Sequence, residues 1–207
     1  CSWQVLKLCQ VQGPLCVRDL AYLPLQSLRE PLEFCGINCT ELCMPAGLTD
    51  ADAAALVQQF ATNIAHLRPG ACTLRVRTVV AQHAGAALLR AIGGRVGSSL
   101  HLRLPVLGAT EAEALGAAVH ERMQQAHRSG TIDIGIMSLT LSPSSTIGPG
   151  FWRHLAEAVQ WNRPWLEVRS LIIDYDEAAG VDAEGQESRQ ESLLSLCHFL
   201  AAVQCPL

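Results

Sequence analysis

A short apolar pattern, Leu-x-Leu-x-x-Leu, returns six times along the chain and constrains the fold more than any other feature. It reads Leu6-Lys-Leu8-Cys-Gln-Val11, Leu32-Glu-Phe34-Cys-Gly-Ile37 and Leu74-Arg-Val76-Arg-Thr-Val79 in the first half. It continues as Leu102-Arg-Leu104-Pro-Val-Leu107, Ile134-Gly-Ile136-Met-Ser-Leu139 and Leu166-Glu-Val168-Arg-Ser-Leu171. Successive side chains of a strand point to opposite faces, so each copy predicts a strand with one buried side.

Between the copies the period becomes helical. Thr49 supplies a cap, Asp50 and Asp52 an acidic first turn, and Leu56, Phe60 and Ile64 fall on one face. Leu115, Val119 and Met123 repeat that spacing after Thr110. Helices are also predicted over 81–92, 150–160 and 187–203, the last with Leu193, Leu194, Cys197 and Leu200 as its apolar face. Pro14 and Pro24 predict a short or broken helix over 13–30.

One strand and one helix per about 30 residues cannot bury their own apolar stripes, whereas stacked copies can. On these six motifs the chain resembles the leucine-rich repeat family, in its ribonuclease-inhibitor-like branch. The resemblance implies an α/β fold, a solenoid of about six strand–helix units with a curved parallel sheet, filling residues 1–207 as one domain. The same alternation also fits a doubly wound α/β domain. Because Cys1 opens inside a β-like run, we expect a fragment of a longer chain.

Hydrophobic residues make up 49% of the chain and charged residues 16%, but no apolar run reaches the roughly 18 residues of a membrane span. A net charge of -4 disfavours a dedicated nucleic-acid binder. Nine cysteines, too sparse for a small disulfide scaffold, predict free thiols in an intracellular, cytoplasmic protein. Three of them form the stretch CGINCTELC, Cys35 to Cys43. In the register above, Leu32, Phe34, Ile37 and Cys39 face the core, Cys35 faces outward, and Cys43 lies in the following connection. Three diverging sulfurs without a second pair downstream predict packed thiols rather than a metal or cluster.

The glycines of Ala91-Ile-Gly-Gly-Arg-Val-Gly-Ser-Ser99 follow a helix and precede a strand, the reverse of a phosphate loop, and predict a helix C-cap and turn. A polar loop over 142–150 and an acidic one over 174–187 read as connections. No nucleophile elbow or Walker loop occurs, so no enzyme, cofactor or metal is expected.

Function is then expected on the outward strand positions, aligned as columns across the concave sheet. One column contains Lys7, Glu33, Arg75, Arg103 and Glu167, a second Arg77, Met137 and Arg169, and a flanking one His101 and Trp165. In this alignment Arg75, Arg77, His101 and Arg103 form a basic cluster in mid-sheet. Arginine pairs carboxylates bidentately, and Arg and Trp dominate interface hot spots. The expected role is a non-catalytic scaffold, or a subunit of a larger assembly, binding a protein with an acidic segment or neighbouring subunits. RNA held by the Arg75/Arg77/Arg103 cluster, and a doubly wound enzyme of unknown reaction, are the alternatives.

Overall fold

The computed structural model describes residues 13–22, 35–65, 72–129, 136–141, 146–148, 150–160, 167–173, 193–194 and 196–201. The elements run β1 (Gly13–Cys16), α1 (Val17–Ala21), β2 (Cys35–Cys43), α2 (Asp50–Ala65), β3 (Cys72–Val80) and α3 (Gly85–Ile92). They continue with β4 (Val96–Arg103), β5 (Val106–Leu107), α4 (Ala109–Ser129), β6 (Ile136–Leu141), β7 (Thr146–Ile147), α5 (Phe151–Gln160) and β8 (Glu167–Ile173).

Six strands form one sheet in the order β1-β2-β3-β4-β6-β8, with every neighbouring pair parallel. β5 and β7 make a second, two-stranded parallel sheet. This is an α/β fold, as the alternating periods predict. Parallel neighbours require crossovers, and helices supply them: α1 contacts α2, α2 contacts α3, α3 contacts α4, and α4 contacts α5.

Register explains the core. Leu15 lies opposite Leu42, Leu42 opposite Val79, Val79 opposite Leu102, Leu102 opposite Leu141, and Leu141 opposite Ile173. One apolar row therefore crosses all six strands. Leu42, Val79 and Leu102 are fully buried and Leu15 nearly so. Parallel rows Ile37–Leu74 and Cys39–Val76 deepen it, and the same cluster takes in Phe60, Leu89, Leu115 and Phe151 from the helices. Each such large side chain contributes roughly 1.5–3 kcal/mol by leaving water. The alternate positions Thr40, Arg75, Arg77 and Arg103 are exposed, so helices cover one face of β2–β4 and leave the other open.

The strand frames differ from the expected ones. β2 aligns Ile37-x-Cys39-x-x-Leu42 with Leu74-x-Val76-x-x-Val79, not the Leu32–Ile37 copy. In β4, Leu102 takes the last apolar position of the pattern instead of the first. Cys43 is accordingly the final residue of a strand rather than part of a connection. Between β6 and β8 Leu139 lies opposite Leu171 as expected, but the row through Val79 and Leu102 reaches Leu141 and Ile173 instead, and Ile136 pairs with Glu167 rather than Val168. The expected strand at Leu6–Val11 and the acidic 174–187 connection lie outside the described residues.

Local chemistry closes the elements. Thr49 caps α2: its Oγ1 accepts the Asp52 amide at 3.2 Å and donates to Asp52 Oδ2 at 2.7 Å. Leu56, Phe60 and Ile64 form the buried face of that helix, as their spacing predicts. Buried Asn63 donates from Nδ2 to the Leu20 carbonyl at 2.6 Å, satisfying an acceptor at the end of α1. The predicted turn after α3 is a 3₁₀ segment, Gly93–Arg95. Gly93 has φ +53°, a Cβ there would strike the Glu121 carboxylate, and the Gly94 amide donates to Glu121 Oε2 at 3.0 Å.

The terminal helix corrects an expectation. Its described parts, 193–194 and 196–201, expose Leu193, Leu194 and Cys197. Leu200 packs inward as expected, joined by Leu196 and Phe199 in place of the other three. Phe199 stacks 5.5 Å from Trp152, whose ring meets Phe151 edge-on at 5.0 Å. Aromatic packing thus selects a different helix face from the one that leucine counting suggests.

Candidate functional surface

The open face of β2, β3 and β4 carries the chemistry. Arg75 lies opposite Asn38, and Arg75 and Arg77 both point into solvent. They stand two residues apart on one strand, roughly 7 Å along it. Arg103 sits opposite Val80, five residues beyond Arg75 in strand register, so the two guanidinium-bearing positions are separated by roughly 16 Å along the sheet. The anticipated four-member group is therefore drawn out along the sheet, with Arg77 and His101 between its ends. The cause is β4, which fits extra residues into the irregularity between the Val76–Val96 and Thr78–His101 pairs.

A mixed set of side chains lies toward the carboxyl ends of the strands. Arg103 Nη1 is 3.6 Å from Glu41 Oε2, with both side chains partly in solvent. Such a pair contributes about 0–1 kcal/mol, and its effect here is to neutralise Arg103. His101 occupies one row with Thr78 and Glu41. Its Nε2 is buried without a hydrogen-bond partner among the described residues. Burial, reinforced by the Arg103 charge and opposed by Glu41, pushes the His101 pKa down and favours the neutral ring.

Glu41 also engages two cysteines. Cys43 Sγ donates to Glu41 Oε1 at 3.2 Å, and Cys39 Sγ donates to the Glu41 carbonyl at 2.8 Å. Burial, the Glu41 hydrogen bond and nearby negative charge push the Cys43 thiol up to about 12. Burial raises that of Cys39 as well. Both rest as thiols at neutral pH, so neither is a standing thiolate, and either would have to give up its proton in the course of any reaction. Among the described residues no group of three or more His, Cys, Asp or Glu is placed to hold a metal ion.

The other anticipated positions are placed as follows. Met137 lies opposite Val168 and Glu167 opposite Ile136, while Arg169 occupies the irregular step of the β6–β8 pair. Lys7, Glu33 and Trp165 lie outside the described residues. Glu41, Cys43 and Cys16 were not anticipated as a group. Counting back from the capped helix at Thr49 would have found them, because it sets Leu42 as the last buried strand position.

Comparison with known proteins finds no matching family model, no matching curated protein and no matching solved structure. Among the described residues no helix is long and apolar enough to cross a membrane.

Proposed function

We propose that the chain is a non-catalytic protein-interaction module, a leucine-rich-repeat-like stack of strand–helix units that binds a partner's acidic segment. The observation that carries this reading is the uninterrupted strand order combined with one-sided burial. A doubly wound enzyme places its site where the strand order reverses, and the described sheet contains no reversal. Sequential parallel strands with one open face instead support a surface for a macromolecule. On that face Arg75 and Arg77 offer two guanidinium groups to carboxylates, with no ion pair to either among the described residues. Arg103 contributes less, because Glu41 already engages it. Neighbouring subunits of an assembly could supply the acidic segment equally well. A reducing, cytoplasmic setting accords with the buried thiol of Cys39.

The test is capture of a partner by the intact chain, with washes at low and high salt and identification by mass spectrometry. The double charge reversal Arg75→Glu/Arg77→Glu, checked for an unchanged circular dichroism spectrum, is run beside it. One protein retained at stoichiometric level by the parent, and weakened at least about tenfold by the reversal, is the expected result. Equal retention by the folded variant would overturn the assignment of this face. Recovery of RNA that disappears as salt rises would transfer the arginines to a phosphate-binding role.

A further inference from the structure

The carboxyl ends of β1 and β2 bring two thiols side by side. Cys16 and Cys43 are register partners, each the last residue of its strand, and both are partly accessible. Neighbouring strands lie about 4.8 Å apart, inside the Cα separation of roughly 4.4–6.8 Å that a disulfide spans. Leu15 and Leu42, the preceding pair, both face the core, so Cys16 and Cys43 share the opposite side of the sheet. Cys39 belongs to the buried row. We infer that Cys16 and Cys43 form a thiol–disulfide exchange site that a small disulfide such as oxidised glutathione closes into an intramolecular bridge. This does not depend on the interaction reading above.

Glu41 gives the site its order of events. Its carboxylate holds the Cys43 proton through the 3.2 Å contact, whereas no carboxylate among the described residues engages Cys16. Cys16 therefore reacts first. Its sulfur, deprotonated, attacks one sulfur of oxidised glutathione, and the sulfur–sulfur bond breaks. One glutathione leaves and takes up the proton, and Cys16 carries the other as a mixed disulfide. Cys43 then attacks the Cys16 sulfur while Glu41 Oε1 accepts its proton, and the second glutathione departs and is reprotonated. Two protein thiols have been oxidised, and one glutathione disulfide has been reduced to two thiols. A bridge between adjacent parallel strands requires the two Cβ atoms to draw together, and strained bridges are the readily reduced, regulatory kind. Closure removes the Cys43 donor from Glu41 and fastens β1 covalently to the sheet.

The experiment treats the full-length folded chain with oxidised glutathione, blocks remaining thiols, and maps the disulfides by mass spectrometry without reduction. The expected product is a Cys16–Cys43 linked peptide pair that dithiothreitol reverses. Cys43→Ser should instead accumulate the Cys16–glutathione mixed disulfide, and Cys16→Ser should lose the bridge with Cys43 left largely unmodified. Three results would overturn the inference. They are a bridge that forms only in urea, a wild-type chain that stops at stable mixed disulfides, and a Cys43 that bridges another cysteine while Cys16 is intact.

Discussion

Glu41 shows how one side chain can set the states of several others. It accepts from Cys43, faces Arg103 and opposes the depression of His101, all from the end of β2. The thiol consequence is measurable as stability against pH. Cys43 ionises near 12 in the folded chain against an ordinary 9.0, so the folded state retains a proton that the unfolded state has lost. The resulting stabilisation is full below about 9 and declines as pH rises through that window toward 12. Cys39, raised by burial, adds in the same direction. The urea midpoint of the parent chain should fall over this alkaline range, and Cys43→Ser should fall less steeply between the same endpoints. Parallel curves for the two proteins would show that Cys43 is not held as a thiol by its surroundings. Sequence pattern put Cys43 in the connection beyond the strand, and the influence of Glu41 on it depends on side chains brought together by folding.

At the scale of elements, the sequence disclosed which segments are strands and helices more fully than it disclosed their frames. Residues 32–42 contain two overlapping copies of the apolar pattern, one ending at Ile37 and the other, through Cys39, at Leu42. Periodicity cannot choose between them, because cysteine packs as a small apolar side chain. The connection to the next helix does choose: ending at Ile37 would leave a long gap before Asp50, and ending β4 at Leu107 would leave no turn before Ala109. Helix-on-helix fit is also hidden from pattern reading. Gly116 is buried on α4 where a Cβ would collide with the Ala158 methyl of α5. Gly116→Ala should therefore destabilise the chain by about 1–3 kcal/mol through overpacking, although alanine is the better helix former. Adding Ala158→Gly should recover part of that loss, giving a favourable coupling energy in a double-mutant cycle followed by urea unfolding. Additive losses would place the strain elsewhere.

Across the whole molecule, the sheet contacts run from each strand to the next, and the helix contacts likewise pass from one helix to its successor. In the proposed stack stability is the sum of local units and their neighbouring interfaces, so damage should remain near its origin. A doubly wound domain with one shared core should instead lose protection throughout. Two fully buried aromatic residues near opposite ends of the described array separate these behaviours. Phe60 is the buried aromatic of α2 in the core cluster, and Trp152 packs α5 against Phe199 of the terminal segment. Truncating either to alanine should cost about 3–5 kcal/mol. In hydrogen exchange, Phe60→Ala should lower protection in α1, β2, α2 and β3 while β6, α5 and β8 stay near their parent values. Trp152→Ala should produce the converse, weakening α4, α5 and the helix at 196–201 and sparing β1 and β2. A uniform loss from both substitutions would mean one cooperative core, and the stacked-unit reading, with the extended binding face it supports, would have to be given up. A graded loss centred on each site would carry that reading from strand order to energetics.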